Sequence, residues 1–416
     1  MGKSYSNWKE YSFKDFCDIT SSKRIFYREY VKSGIPFYRS KEIIAKSNGK
    51  ELNDCLYISK DRFEEIKNKY GIPINGDILI TAVGTYGIPY LINEDGDFYF
   101  KDGNLIWLKN IKDVADSNFL FYWFKSEEAK NKVEGIIIGS VQKALTIDAM
   151  KNIKINLPPL AEQKRIASIV SALDDKIELD NKTNKILEEM AQTIFKEWFI
   201  NFNFPNEDGK PYKKSGGEMI DSELGKIPKG WKVITLKDII SIAKGKKPKA
   251  TSDKITEKFT MPYLTINCYN NEATEYTEYN EKMHVKELDI VMVMDGNAGK
   301  IFYGKEGILS STMAKLIVED SNLNELVFYF LKSIEYDLMY HTVGSVIQHA
   351  DKQYMLNKKF CVSSDNLERL SDIFKCIRKE ISLNKKENEK LSNIRDSLLP
   401  KLMTPKGRRA DGEIRV

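Results

Sequence analysis

The sequence contains little histidine and cysteine, which narrows the chemistry that it can support. Three histidines and five cysteines occur in 416 residues, and no two cysteines stand in a Cys-x-x-Cys pair. An odd number of scattered cysteines does not form a disulfide framework, so a reducing cytoplasm is the expected compartment. The histidines also lack the spacing of metal ligands. We therefore expect no metal site.

Long apolar runs are absent, and the excess of one charge sign is small. No stretch is apolar for long enough to span a membrane, and the first residues lack the pattern of a signal peptide. Lysine and arginine number 65 against 60 acidic residues, a net charge of +5. This balance permits a nucleic-acid partner without requiring one. A chain of this length, with 42% hydrophobic residues, is expected to form two or more domains.

Motifs of catalysis are missing as well. The sequence has no Ser-His-Asp set, no helicase motif and no nuclease carboxylate cluster. The segment Asn156–Pro159 is close to the adenine methyltransferase pattern, but the inserted Leu157 interrupts it. The segment Gly296–Lys300 is not a P-loop, because Met294 stands at the required glycine position and Ile301 at the Ser/Thr position. We therefore expect a chain with no catalytic site and no cofactor.

The sequence is internally duplicated, and this determines its predicted organisation. Six blocks recur in the same order, at an offset that falls from about 223 to about 205 residues. The paired blocks are Trp8-Lys9 with Trp231-Lys232, Phe13–Phe16 with Leu236–Ile239, Ile35–Phe37 with Met261–Tyr263, Asp77–Ile80 with Asp289–Met292, Phe121–Ser126 with Phe328–Ser333, and Gly139–Val141 with Gly344–Val346. A repeat of this length indicates a duplicated domain rather than a solenoid.

Each half ends in a sequence with the heptad pattern of a coiled coil. The first seam comprises Ile166, Val170, Leu173, Ile177, Asp180, Asn184, Leu187, Ala191, Ile194 and Trp198. The second seam comprises Leu370, Phe374, Ile377, Ile381, Asn384, Asn388, Leu391, Arg395, Leu398 and Leu402. Both seams are interrupted near the middle by polar residues, which cost stability but fix the register of a helix pair.

The polar interruptions distinguish two ways of pairing the helices. An antiparallel pair places Asp180 opposite Asn388, and in the same register it places Asn184 opposite Asn384. A parallel pair would instead place Asp180 against Asn384. A duplicated chain that closes on itself by pseudo-two-fold symmetry requires the antiparallel pair, which is our prediction.

The expected fold class is α+β, with two pseudo-symmetric mixed α/β domains joined by two long antiparallel coiled-coil helices. The expected boundaries are 1–157 for the first domain, 158–204 for the central helix, 205–229 for a linker, 230–362 for the second domain, 363–404 for the distal helix and 405–416 for a polar tail. Strands are predicted at Ile78–Thr81, Leu105–Leu108, Asp289–Met294 and Lys315–Val318. Single helices are predicted at Asn118–Val133 and Leu323–Met339.

The predicted architecture suits a DNA duplex. A helix of about 40 residues is roughly 60 Å long, and one turn of DNA advances roughly 34–36 Å. Two related domains carried by such helices would contact two half-sites separated by an unread spacer. Because the domains differ, the half-sites should differ in sequence. The same shape would also suit a coiled-coil scaffold that bridges two proteins, and this remains the alternative.

Three segments resemble the specificity subunits of type I restriction–modification systems. Leu157–Ile166, with the sequence Leu-Pro-Pro-Leu-Ala-Glu-Gln-Lys-Arg-Ile, is similar to the start of that family's central helical region, and Ile194–Phe199 is similar to its end. Leu398–Met403 and Gly412–Val416 resemble the family's C-terminus, although Thr404–Asp411 is inserted between them. The resemblance covers essentially the whole chain.

This resemblance implies a function and a set of partners. A member of the family is a non-catalytic subunit whose two target-recognition domains read the two halves of a bipartite, asymmetric site in double-stranded DNA. It binds two adenine methyltransferase subunits, which carry the S-adenosylmethionine site, and two ATP-dependent endonuclease and translocase subunits can join. No membrane partner is implied. An enzyme with an unrecognised site, such as a nuclease, is a second rival reading.

Three kinds of segment are candidate DNA contacts. Cationic residues for the phosphates are Lys23, Arg24 and Arg28 in the first half and Lys244, Lys246, Lys247 and Lys249 in the second. Residues at glycine turns, where backbone approaches a ligand closely, are Thr85, Tyr86, Asn297 and Lys300. Residues of two small-residue turns are Ser140, Gln142, Lys143, Ser345 and Gln348, and glutamine can pair with adenine. Solvated loops and ordinary hairpin turns are the structural alternatives.

Overall fold

The structure is a computed structural model, and it describes residues 7–49, 52, 54–93, 96–137, 143–270, 274–344, 348–363 and 367–404. The chain divides into two compact units. The first unit consists of Met1–Asp180 together with Glu387–Val416, and the second of Asn181–Lys386. Each unit therefore contains one half of the duplication and one portion of each long helix.

The first unit contains two four-stranded sheets. Its central sheet has the antiparallel strand order Asp18–Thr20, Leu105–Lys109, Ile78–Thr81, Pro89–Leu91. Its second sheet has the order Tyr30–Val31, Leu56–Ile58, Ile35–Tyr38, Tyr99–Phe100, with the last pair parallel. Lys9–Ser12 pairs with Lys154–Leu157. The short helices are Phe13–Phe16, Ser40–Ser47, Lys60–Tyr70, Ser117–Lys125, Glu127–Glu134 and Ile147–Lys151, with a 3₁₀ turn at Tyr27–Glu29.

The second unit repeats this scheme. Its central sheet has the same antiparallel order, Ile240–Lys244, Met313–Val318, Ile290–Val293, Ile301–Tyr303. Its second sheet has the order Glu275–Thr277, Met261–Leu264, Gly307–Leu309, His284–Val285. The two-stranded pairs are Trp231–Thr235 with Lys359–Ser363, Met219–Ser222 with Gly225–Pro228, and Thr342–Val343 with His349–Ala350. The helices are Ile266–Tyr269, Asn324–Ser333, Glu335–Tyr340 and Lys352–Leu356, with 3₁₀ turns at Leu236–Asp238, Glu281–Met283 and Ser321–Leu323.

The predicted helix Asn118–Val133 is interrupted, which corrects the sequence interpretation. Ser126 has an extended backbone (φ −76°, ψ 156°) and separates Ser117–Lys125 from Glu127–Glu134. Its hydroxyl donates a hydrogen bond to the carbonyl of Trp123 (2.6 Å) and accepts one from the N–H of Ala129 (3.3 Å). Serine is a preferred N-cap because its side chain satisfies a free N–H at a helix start. The predicted helix Leu323–Met339 is likewise two helices, which meet at Ile334.

The stretch predicted as a linker is folded against the second unit. It contains the hairpin formed by Met219–Ser222 and Gly225–Pro228. The ring of Phe204 stacks on Tyr212 (4.7 Å between centroids) and on Trp231 (4.9 Å). Because Phe204 and Trp231 belong to the core cluster of this unit and Tyr212 packs against it, the predicted linker is in contact with the second domain.

The long helices are Leu160–Phe195, continued by the π-helical turn Lys196–Ile200, and Leu367–Leu402. All twenty predicted seam residues are buried or half-buried. In the first unit, Asp174 bonds Arg395 (2.7 Å). In the second, Asn184 accepts a hydrogen bond from Asn384 (2.9 Å). The first unit also pairs Lys176 with Glu387, and the second pairs Phe195 with Phe374. Within each unit the partner's residue number falls as that of the first helix rises, so the antiparallel pairing is confirmed.

Asp180 also interacts within the first unit. Its carboxylate accepts a hydrogen bond from Lys176, whose ammonium group also reaches Glu387 (3.1 Å). The polar interruption of the seam is thus a set of hydrogen bonds and ion pairs. None of the helices in the described ranges is long and apolar enough to cross a membrane.

Gln163 anchors the start of the central helix to the first domain. Its side chain is completely buried. Its carbonyl oxygen accepts from the N–H of Asp116 (2.9 Å), and its amide group donates to the carbonyls of Val114 and Pro158 (both 2.8 Å). The Leu-Pro-Pro-Leu-Ala-Glu-Gln block therefore has a structural role at the junction of domain and helix.

Replacing Gln163 with leucine is expected to destabilise the first unit by about 3 kcal/mol, because leucine keeps the volume but leaves three buried backbone groups without partners. Chemical unfolding followed by circular dichroism measures this loss. Gln192→Leu is the control, because Gln192 lies on the same helix and is exposed. Equal losses in the two variants would contradict the anchoring role.

Candidate nucleic-acid interface

The register of the two central sheets aligns the basic loops of the two units. Strand pairing places residue 18 of the first unit and residue 241 of the second at equivalent positions. The loops that follow these strands then align Lys23 with Lys246 and Arg24 with Lys247. The two cationic stretches predicted from the sequence therefore leave the same edge of equivalent sheets.

In the second unit, three predicted segments meet at this edge. The N–H of Gly296, in the glycine turn, donates to the carbonyl of Gln348 (3.0 Å). The carboxylate of Asp295 contacts the ammonium group of Lys244 (3.4 Å), at the start of the basic loop. The same carboxylate bonds the Nδ1 atom of His349 (2.7 Å). Asp295 thus joins the basic loop, the glycine turn and the segment at Gln348.

The first unit brings together two of the equivalent three segments, the glycine turn and the segment at Lys143. The N–H of Leu145 donates to the carbonyl of Ala82 (2.8 Å), and Val83 forms an antiparallel bridge with Ala144. Lys143 precedes this bridge and is exposed. Ser140, Gln142 and Ser345 lie outside the described residues. In each unit we call the three segments together the convergent face: residues 21–28, 83–87 and 143–145 in the first, and residues 244–249, 295–300 and 348–350 in the second.

The glycine turns are required by packing as well as by any ligand. Gly84, Gly87, Gly296 and Gly299 all have φ between +76° and +97°, a region that favours glycine. A Cβ atom on Gly299 would lie 2.8 Å from the backbone nitrogen of Met339. Thr85 and Asn297, between the glycines, are exposed, whereas Tyr86 and Lys300 are half-buried. The exposed pair is therefore better placed to contact DNA than the half-buried pair.

The cationic side chains differ in how firmly they are held. Lys246, Lys247 and Lys249 are exposed, and they form no hydrogen bond or ion pair with any described residue. Arg24 bonds the carboxylate of Asp102 (2.8 Å) with its side chain 69% exposed. Lys23 lies over the ring of Tyr70, 4.6 Å from the centroid. The second unit thus presents free lysines, whereas the first presents tethered cations.

Asp295 was not among the predicted site residues. Its side chain is 20% exposed. Burial alone would raise the pKa of its carboxyl group, but the hydrogen bond from His349 and the charge of Lys244 hold that pKa below the ordinary value. At neutral pH it is therefore an anion inside a cationic face. The only sequence signal for a role of Asp295 was indirect: its partner His349 is adjacent in the sequence to the predicted Gln348.

Phe26 and Tyr27 were also missed. They lie within the basic loop of the first unit, and their side chains are 53% and 89% exposed. Aromatic residues in a sequence are usually assigned to a core, so their position beside Lys23, Arg24 and Arg28 gave no signal of exposure. Within the described residues, no group of three or more His, Cys, Asp or Glu side chains could hold a metal ion.

Comparison with known proteins gives one consistent result. Residues 5–189 and 228–393 match the family described as the type I restriction modification DNA specificity domain. The chain is similar to the specificity subunit of the type I restriction enzyme MjaIX from Methanocaldococcus jannaschii, with 25% identity over 447 residues, 100% of this chain and 95% of the relative. A putative type I restriction enzyme specificity subunit from Haemophilus influenzae is 33% identical over 199 residues, 45% of this chain and 47% of the relative.

A solved structure shares the fold. The crystal structure of the type I restriction–modification system S subunit from M. genitalium superposes with a TM-score of 0.59 at 17% identity, over 96% of each chain. The expected fold class, two repeated mixed domains with two long helices, is therefore confirmed.

Proposed function

The chain belongs to the type I restriction modification DNA specificity family, and from this we propose that it is the DNA-reading subunit of a type I restriction–modification complex and has no catalytic site of its own. The observation that carries the proposal is the convergent face. In both units the glycine turn pairs with the segment at Lys143 or Gln348, at the sheet edge from which the basic loop leaves. A duplicated chain with two such faces is suited to a target with two halves.

The two halves of the target should differ in sequence. The convergent face of the second unit contains Asp295 and His349, whereas the equivalent bridge of the first unit contains Val83 and Ala144. A carboxylate accepts hydrogen bonds from the amino group of cytosine, and apolar side chains contact the thymine methyl group. Faces with such different chemistry favour different bases, which supports a bipartite, asymmetric site in double-stranded DNA.

We propose that the cationic loops contact the phosphates, and that the polar side chains of the glycine turns and small-residue turns contact the base edges. Exposed lysines attract phosphates without reading sequence, whereas side-chain amides can form paired hydrogen bonds with adenine. Gln348 is exposed beside the glycine turn, and Lys143 occupies the equivalent position in the first unit. Ser140, Gln142 and Ser345 remain proposed contacts on the strength of the repeat alone.

The long helices supply a surface for protein partners. Large apolar side chains of both helices are exposed in addition to the buried seam: Leu179, Ile186, Met190, Leu383 and Ile394 are 47–59% exposed. Apolar residues mark an interaction surface when they form a contiguous patch, and Leu179, Ile186 and Met190 recur at the seven- and four-residue steps that share one face of a helix. We propose that two adenine methyltransferase subunits bind these helices, and that two ATP-dependent endonuclease and translocase subunits can join the complex.

Deleting the gene is expected to abolish one bipartite, asymmetric adenine-methylation motif in the native host, as measured by single-molecule sequencing of the genome. Complementation with the Gln348→Ala variant is expected to relax or change one half of that motif and to leave the other unchanged. A matched control is Gln192→Ala, an exposed glutamine on the central helix.

Purified protein provides the decisive comparison if the genome pattern is unchanged. The chain in complex with its methyltransferase should bind duplex DNA with an affinity that falls steeply with salt. A complex that forms but does not bind DNA at low salt would refute the proposed function and support the scaffold alternative.

A further inference from the structure

Two large aromatic side chains are presented to solvent in the first unit. Phe26 is 53% exposed and Tyr27 is 89% exposed, whereas the preceding Ile25 is only 2% exposed. Ile25 therefore fixes the loop in the core cluster of the second sheet, while the next two residues project outward. Burying a large side chain is normally favourable, so this exposure is unusual for neighbouring aromatic residues.

The loop is held in place by polar contacts on both sides of the aromatic pair. The N–H of Phe26 donates to the carboxylate of Glu29 (2.7 Å), and Glu29 bonds Arg62 (2.9 Å). On the other side, the N–H of Lys23 donates to the hydroxyl of Tyr99 (2.7 Å). A fixed loop gives up little conformational entropy when it binds, so its exposed rings are preorganised for a contact.

The surroundings of the pair are cationic. A cleft of about 360 Å³ is lined by Arg24, Phe26, Tyr27, Lys101 and Asp102, among others, and Asp102 is the residue that bonds Arg24. The guanidinium of Arg28 lies 5.8 Å from the ring centroid of Phe26. Lys23, Arg24, Arg28 and Lys101 outnumber the two nearby carboxylates, Glu29 and Asp102, and this excess of positive charge favours a polyanion over an apolar protein partner.

The aromatic pair is also specific to one unit. The loop that follows the equivalent strand in the second unit, residues 245–260, contains several lysines and one half-buried aromatic residue, Phe259, but no exposed aromatic pair. A role in folding would be expected in both copies of a duplicated domain, since both carry the same central sheet. A role in reading sequence would be expected to differ, because the two half-sites differ.

We propose that Phe26 and Tyr27 determine the specificity of the first unit by contacting base edges of its half-site, with the thymine methyl group as the chemical group that they recognise. The inference rests on the proposed function, because it assumes that the first convergent face binds DNA. Apolar side chains distinguish thymine through its C5 methyl group, which no other base carries in the major groove. Burying one methyl group changes affinity by about fourfold.

The test uses the complete chain in complex with its methyltransferase and synthetic duplexes that carry the target motif. Each thymine of the half-site, on either strand, is replaced in turn with deoxyuracil, which removes only the methyl group. For the wild type, at least one replacement is expected to weaken binding about fourfold. For the variant Phe26→Ala/Tyr27→Ala, the same replacement is expected to have no effect.

Two controls separate this result from misfolding and from failure of the proposed function. Tyr27→Ala alone removes a side chain that is 89% exposed, so it leaves the core intact and should still reduce the deoxyuracil effect. Ile74→Ala removes a residue that is 60% exposed and precedes the opposite end of the central sheet, and it should change nothing. A deoxyuracil effect that is equal in wild type and variants overturns the inference, as does the absence of any such effect in the wild type. A wild-type complex that does not bind the motif at all refutes the proposed function instead.

Discussion

Replacing Lys246, Lys247 and Lys249 together with alanine is expected to weaken DNA binding about 100-fold at physiological salt. The three side chains are exposed and form no hydrogen bond or ion pair with any described residue, so they are free to neutralise phosphates. Each phosphate contact releases counterions and adds about 0.9 to the slope of log affinity against log salt concentration. The slope should therefore fall by about 3, measured by fluorescence anisotropy across a salt series.

A second triple variant has the same change in net charge and tests whether position matters. Lys213, Lys214 and Lys226 are exposed lysines of the same unit, in the stretch that packs against Trp231 before the central sheet begins. Their replacement with alanine should lower affinity only slightly, through the weaker long-range field of the protein. If both triple variants lost affinity to the same extent, the basic loop would have no direct contact with DNA.

The duplication made most of the fold predictable from the sequence. Copies of one domain preserve their order of elements, so short sequence matches located equivalent strands and helices in the two units. The heptad pattern located the seam, and the pseudo-two-fold symmetry of a duplicated chain favoured the antiparallel pairing, in which Asn184 faces Asn384. Helix interruptions were harder to see, because the apolar pattern continues across Ser126 and only the cap geometry breaks the helix there.

The candidate site was predictable in its segments but not in its contacts. The basic loops, glycine turns and small-residue turns stand far apart in the sequence, and only the sheet register brings them together. Asp295 and His349 are 54 residues apart, so their hydrogen bond has no local signature. The exposure of Phe26 and Tyr27 was equally hidden, because side-chain composition alone cannot distinguish a buried aromatic residue from one that a fixed loop turns outward.

Replacing Arg378 with methionine is expected to destabilise the second unit by about 3–5 kcal/mol at neutral pH. Arg378 is 4% exposed, donates to the carbonyl of Glu287 (3.0 Å) and lies 3.6 Å from the ring centroid of Tyr303. Tyr303 in turn bonds Glu325, which is also 4% exposed. Burial raises the pKa of Glu325, and the hydrogen bond from Tyr303 and the charge of Arg378 oppose that rise. Methionine would leave this carboxyl group buried without its compensating charge.

The destabilisation caused by Arg378→Met is expected to depend on pH. The pKa of Glu325 is raised in the folded state, so protonation of this carboxyl group stabilises the fold. That stabilisation is complete below the unfolded pKa, near 4.5, and is lost as the pH rises through the folded pKa. The cost of Arg378→Met should therefore shrink as pH falls towards 4.5, since a protonated Glu325 needs no positive neighbour. At neutral pH, the double variant Arg378→Met/Glu325→Gln should recover much of the stability, because it removes both buried charges together and leaves neither uncompensated.

The matched control is Lys379→Met, which removes an adjacent but exposed cation of the same helix. It should change the free energy of unfolding by less than about 0.5 kcal/mol at any pH. Urea unfolding of the wild type and the three variants at pH 4.5 and pH 7 measures these differences. A cost of Arg378→Met that is the same at both pH values, and that Glu325→Gln does not relieve, would mean that Arg378 stabilises the unit by packing on Tyr303 and not by its charge.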